Sequence, residues 1–261
     1  MFEAIRSPLL RPLKAAFFDY DGTISLIVDG WQELFLDIFR ETLNRMPGGN
    51  SVSESRIREI IDHNNGKQSL AQAESLAEEV RKLGGTPLAP QVYLDDYFDR
   101  LNKLSQPRIA EVKAGNRNKY LVPGVCDLLA TLKKHGIVIC LASGSPENVV
   151  RDGLDMFGLT EYFDGGIHGV RLGRNDFCKA DILDRFLKRH GFQGDEVVGF
   201  GDGVAEIGDV HNVGGLAVGI VRIESPNGPR NSLIEAGADW IISDYIDLPL
   251  HSLFVEKPSL A

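Results

Sequence analysis

The stretch Ala15-Ala16-Phe17-Phe18-Asp19-Tyr20-Asp21-Gly22-Thr23 places two carboxylates directly after an unbroken apolar run. An apolar run without polar alternation is the pattern of a strand buried on both faces, as in a parallel sheet covered by helices. Such a strand excludes carboxylates from its middle, so Asp19 and Asp21 belong at its end. In an open parallel sheet that end is where ligands bind. Gly22 supplies the freedom for a sharp exit.

The rest of the chain agrees with a parallel sheet. From Pro123 onward, helical spacings (Val125, Leu128, Leu129, Leu132, then Gly136 as a stop) alternate with short apolar runs. The runs are Ile137–Ser143, Glu196–Gly203, Gly214–Val221 and Trp240–Ser243. Ser145 reads as an N-cap with Pro146 at the first helical position. Alternating strands and helices joined by tight turns predict α/β architecture with helices on both faces. Residues 29–120 differ. They carry no buried-strand run, but two helical stripes: Leu70, Ala73, Leu76, Ala77, Val80 and Leu83, then Leu94, Tyr97, Phe98 and Leu101. This segment reads as a helical insert after the first strand.

Composition excludes several classes. The chain has 261 residues and a formal charge of −9, which argues against broad nucleic-acid or anionic-membrane binding. Three cysteines, Cys126, Cys140 and Cys178, fit no zinc spacing and read as reduced thiols. No stretch reaches membrane-spanning length and no signal peptide is evident, so the expectation is a cytoplasmic protein.

Polar groups recur at the predicted strand ends: Asp19 and Asp21, then Ser143-Gly144-Ser145, then Lys179 at a helix start, then Asp202 with Glu206 and Asp209 after it. Carboxylates, an ammonium, a hydroxyl and a glycine N–H together suit phosphoryl transfer. Asp19 can attack phosphorus, and Asp21 can protonate the leaving oxygen and then activate water. An all-oxygen set of donors suits Mg²⁺. A lysine at a helix start opposes the helix dipole, which favours a fixed anionic partner.

These residues, in this order, resemble the haloacid dehalogenase superfamily of phosphotransferases: FFDYDGT its first motif, LASGS its second, Lys179 its third and GFGDGVAE its fourth. The resemblance covers about 13–28 and 121–254. It implies a Rossmann-like, doubly wound five-stranded parallel core with the first strand central. The core is expected over 1–28 and 121–261, and an inserted helical cap domain over 29–120, similar to the cap of the phosphoglycolate-phosphatase-like and β-phosphoglucomutase-like subgroup. Carried over by position, Asp19 is the nucleophile and Asp21 the acid/base. Ser143, Gly144 and Lys179 hold phosphate. Magnesium takes the Asp19 and Asp202 carboxylates and the Asp21 carbonyl. The family often has an aspartate four residues after the first of its fourth motif; here that position is Glu206, with Asp209 as the alternative metal-supporting acid.

The leading expectation is a Mg²⁺-dependent phosphatase of a small phosphorylated metabolite, a sugar phosphate or phosphoglycolate-like monoester. A sugar phosphomutase on the same core is the alternative. A phosphonate hydrolase using Lys67 as a Schiff base, a dehalogenase (against which Asp21 counts) and a non-catalytic binding domain rank lower. In the insert, Lys67 is the candidate substrate ligand, with Asn64, Asn65 and Gln68 behind it. Trp31 reads as a hinge or core aromatic. Arg108, Arg117 and Lys119 read as surface charge, and Cys178 as a packed thiol. The six histidines form no ligand spacing.

Overall fold

The computed structural model describes residues 1–7, 12–65, 67–171, 177–222 and 230–254. The apolar run before Asp19 is strand β2 (Ala15–Phe18), all four residues of it buried. The other strands are β1 (Phe2–Ala4), β3 (Val138–Pro146), β4 (Gly166–Val170), β5 (Val197–Gly201), β6 (Leu216–Ile220) and β7 (Trp240–Ile242). They form one sheet in the order β1-β7-β6-β5-β2-β3-β4. Strand β2 is central and parallel to both neighbours, with Phe18 opposite Leu141 on β3 and Phe200 on β5. The second and fourth sequence motifs therefore flank the first, as expected.

The five expected strands are present, but the sheet has two more, both at edges. Strand β1 pairs antiparallel with β7, and β4 pairs parallel with β3. Neither has an apolar run to announce it: β4 reads Gly-Ile-His-Gly-Val and buries only alternate positions.

Helices cover both faces. From Val125 onward the helices among the described residues are α5 (Val125–Lys134), α6 (Glu147–Phe157), α7 (Lys179–His190), α8 (Val204–Asn212), α9 (Arg230–Ala236) and α10 (Leu250–Leu253). Successive strand residues point to opposite faces. Ala16 and Phe18 pack with Leu128 and Leu132 of α5 and Leu154 of α6. Ala15 and Phe17 pack with Leu183 and Phe186 of α7 and Val210 of α8. Glycines end α5 and α7 as anticipated, Gly136 at φ 73° and Gly191 at φ 69°.

Between β2 and α5 lie four helices: α1 (Trp31–Leu43), α2 (Glu54–His63), α3 (Ser69–Lys82) and α4 (Pro90–Lys113). They bury a cluster of their own, including Phe35, Phe39, Ile61, Leu76 and Val80. Phe35 stacks on Tyr97 at 3.9 Å between ring centres. Helix α4 continues well beyond the stripe that ends at Leu101, through Pro107 to Lys113. No helix among the described residues is long and apolar enough to cross a membrane.

The start of α6 differs from expectation. Strand β3 runs on through Pro146, its register against β4 shifting between Ala142 and Pro146, and α6 begins at Glu147. Pairing with β4 keeps Ser145 extended, so its hydroxyl does not cap the helix. The C-terminal tail from 255 lies outside the described residues, as does Gly66.

Leu76 is fully buried in the insert's own cluster. Leu76→Ala should cost about 2–5 kcal/mol, read as a lowered urea midpoint; a change under about 1 kcal/mol would show that this cluster is not packed as described.

Candidate active site

The acids lie where the sheet ends. The Asp19 N–H still donates to the Phe200 carbonyl (3.0 Å), extending the β2–β5 ladder by one rung. The chain then folds over the Tyr20 carbonyl, which accepts from the N–H groups of Ile24 (2.8 Å) and Ser25 (3.0 Å). Gly22 sits at φ 75°, and a β-carbon there would collide with the Asp202 carboxylate. The sharp exit thus also lets the first and fourth motifs meet.

Lys179, only 5% exposed, opens α7 beneath the acids. Its ammonium donates to Asp19 Oδ1 (2.7 Å) and Glu206 Oε2 (2.9 Å). The other Glu206 oxygen accepts from the Gly203 N–H (2.6 Å), satisfying one of the free donors at the start of α8. Glu206 lies across Gly201, where any β-carbon would strike it. One carboxylate oxygen from each of Asp19, Asp202 and Glu206 lies within 4.8 Å of the others. Asp209 is not part of that cluster; burial first, and then the Glu206 charge, push its carboxyl up to about 6.

Asp21 faces another partner. Its Oδ2 accepts from the Ser145 hydroxyl at 2.6 Å. The Ser145 N–H in turn donates to Ser143 Oγ (3.1 Å), and Ser143 is buried. Asp19, Asp21, Ser143, Gly144, Lys179 and Asp202 all line one cavity. The structure therefore brings these residues together at one place, with Glu206 behind Lys179 rather than on the cavity wall, and leaves Asp209 outside both the wall and the acid cluster. Ser145, named with Ser143 and Gly144 at the strand end but read as a helix cap because Ser-Pro-Glu looks locally like a helix start, instead bonds Asp21.

The insert closes over this end of the sheet. The Lys67 carbonyl passes so near Gly144 that a β-carbon there would lie 2.7 Å from its oxygen. Asn65 Nδ2 donates to the Asp202 carbonyl (3.2 Å), and Gln68 Nε2 to the Phe177 carbonyl (3.3 Å). Lys67 lines the cavity, its ammonium donating to Asn64 Oδ1 (3.2 Å). Trp31 also lines the cavity, its ring edge-on to Phe35, so it is more than a core aromatic. Arg108 and Arg117 are not plain surface charge. Arg108 Nη1 donates to the carbonyls of Leu26, Ile27 and Asp29 (3.3, 3.0 and 2.7 Å), and Arg117 Nη1 to that of Phe157 (2.8 Å). Lys119 pairs with Glu111 at 2.7 Å. Cys178 is exposed rather than packed.

The electrostatics follow from four carboxylates around one ammonium. Burial pushes Asp19 up to about 7 against the attraction of Lys179, with Glu206 adding to the rise. Burial holds Asp202 well above the usual carboxylate range, and Asp19 and Glu206 reinforce it. Burial raises Asp21 too, opposed by the Ser145 hydrogen bond and then Lys179. For Lys179, burial acts downward, but Asp19 and Glu206 outweigh it and the ammonium is held above its ordinary value. A cluster with this surplus of negative charge and oxygen donors only fits a hard divalent cation such as Mg²⁺.

The surplus sets a pH dependence. Folded protein without metal keeps a proton on Asp19 up to about pH 7, whereas the unfolded chain loses it near 3.8. The folded state binds more protons across that window, so stability must fall as pH rises through it. Metal-free protein should show a lower thermal midpoint at about pH 7.5 than at about pH 5, with Mg²⁺ restoring more at the higher pH; equal Mg²⁺ effects at both would contradict this site.

Comparison with known proteins agrees with the geometry. The family model described as haloacid dehalogenase-like hydrolase matches residues 13–208. A phosphoglycolate phosphatase of Synechococcus elongatus is 28% identical over 128 residues, 49% of this chain and 57% of that protein. The chain thus matches little more than half the length of that relative. The crystal structure of a predicted phosphoglycolate phosphatase from Haemophilus somnus superposes with a TM-score of 0.61 at 16% identity, covering 93% of this chain and 99% of that one. A β-phosphoglucomutase from Clostridium difficile superposes with a TM-score of 0.62 at 16% identity, covering 92% and 95%. At those identities the superpositions speak for the fold alone. The family match spans both the central strand and the fourth motif, with its carboxylates gathered around one lysine, and the chain belongs to the haloacid dehalogenase-like hydrolases.

Proposed function

We propose that the protein is a Mg²⁺-dependent phosphatase that hydrolyses a phosphoric monoester through a phosphoaspartate intermediate. The observation that carries this reading is the Lys179 ammonium 2.7 Å from Asp19, at the wall of a cavity that also holds Asp21, Ser143 and Gly144. The phosphoglycolate phosphatase among its relatives supports the same reaction class.

Asp19 is the nucleophile. Its free oxygen attacks phosphorus while Lys179 holds the other and neutralises charge on the phosphoryl oxygens. The Ser143 hydroxyl and the Gly144 N–H donate to those oxygens. Asp21, its carboxyl raised by burial, carries the proton to the leaving oxygen and afterwards takes one from the attacking water. Ser145 orients the Asp21 carboxylate through its 2.6 Å hydrogen bond. The Asp19 and Asp202 carboxylates and the Asp21 carbonyl would hold Mg²⁺, which would supply charge neutralisation at the phosphoryl group. Glu206 keeps Lys179 charged and in place, and supports the metal from behind. The insert over 29–120 acts as a cap on a core formed by 1–28 and 121–261, excluding bulk water through the loop around Lys67. The protein's three unpaired thiols, Cys126, Cys140 and Cys178, fit a cytoplasmic setting.

With Mg²⁺ and a panel of phosphorylated sugars, phosphoglycolate and nucleotides, released phosphate should be detected. Asp19→Asn should lower kcat by at least about 10³-fold, and chelation should abolish turnover reversibly. Isomerised hexose phosphate in place of free phosphate, given a bisphosphate activator, would point to the mutase. Ser145→Ala removes a hydrogen bond that favours the Asp21 carboxylate, so the limb of the pH–rate profile due to Asp21 should move to higher pH; an unmoved limb would detach Ser145 from Asp21.

A further inference from the structure

We infer that the phosphomonoester has an elongated, largely apolar leaving group with a hydrogen-bonding group partway along it, laid against α4. This rests on the phosphatase reading, and names the half of the substrate that the phosphate site does not touch.

The cavity at the acids is about 610 Å³ and continuous from Asp19 and Asp202 to Ile109 and Lys113. That is the liquid volume of roughly twenty waters, far beyond what a phosphoryl group and two carbons fill. Its shape follows α4. Tyr97, Leu101, Ser105, Ile109 and Lys113 line it at four-residue spacing. From Tyr97 to Lys113 this row rises about 24 Å along the helix axis while winding about 160° around it. Tyr97 lines the same cavity as Asp19 and Asp21. The facing wall is one side of α6, where Val149, Gly153 and Met156 line the same space.

The wall is chemically graded. Phe98 is 37% exposed and Val149 52%, on opposite sides of the cavity. Large apolar side chains left in water on both sides of one cleft are surface that a ligand covers. Asn102, Ser105 and Gln106 sit partway along the wall and offer amide and hydroxyl partners. A two-carbon acid would leave nearly all of this surface wet. An extended chain, anchored by its phosphate at Asp19 and Lys179, covers it.

The test is a series of ethyl, butyl and octyl phosphates, with phosphoglycolate alongside, hydrolysed by the Mg²⁺-loaded full chain below the micellar range. From two to eight carbons kcat/KM should rise by roughly 10²-fold. The octyl-to-ethyl ratio should collapse in Leu101→Trp, which fills the groove, and fall in Phe98→Asp, a change at an exposed position that the fold tolerates. Calorimetric titration of Asp19→Asn protein with the same esters gives a reading independent of turnover: octyl phosphate should bind about 10²-fold tighter than ethyl, with a negative heat-capacity change. A flat series, or a rise that survives both variants, overturns the groove assignment. Length-dependent binding without hydrolysis of any ester upholds the groove and overturns the phosphatase reading instead.

Discussion

A buried ammonium shared by two carboxylates holds this molecule's chemistry in place. Lys179 reaches Asp19 across 160 residues of chain and Glu206 across 27. Burying acids without a counter-charge costs several kcal/mol each, so the lysine is a structural requirement before it is a chemical one. Its position requires the central place of β2, with β5 beside it, and α7 beginning at Lys179. Each of those follows from local rules: apolar runs that must be covered, glycines that release helices, and a backbone N–H that holds the Glu206 carboxylate at the start of α8.

The same site shows why the core could be read from residues alone. Asp19, Asp202 and the Ser143-Gly144 pair each follow an apolar run, and in a parallel sheet runs of that kind end on one edge. Position along the chain therefore translated directly into proximity. What escaped was set by contacts distant in sequence. Ser145 precedes Pro-Glu and reads as a helix cap; only pairing between β3 and β4 keeps it extended and turns it toward Asp21. Strand β4 has two glycines and one buried aliphatic side chain, so nothing local marks it. Glycines 22, 144 and 201 were visible, but the collisions they avoid, with Asp202, Lys67 and Glu206, were not.

Helix α4 makes the point from the other direction. Its apolar stripe fades after Leu101, yet the helix continues about three further turns to Lys113. A stripe records packing against protein. Where a helix instead borders a cavity, as α4 does from Leu101 to Lys113, its residues mix apolar, amide and charged groups and the period dissolves. The part of the chain that contacts the variable half of a substrate is thus the part that sequence periodicity describes least.

The insert is joined to the sheet by two connections, the outgoing segment after β2 and the return at the end of α4. Arg108 ties them together: from α4 its guanidinium grips three carbonyls, of Leu26, Ile27 and Asp29, on the outgoing segment. Two tethers knotted at one point behave mechanically as a single pivot. Any swing of the four helices is then a rotation about that knot, and it must break the bonds that Asn65 and Gln68 make to the Asp202 and Phe177 carbonyls.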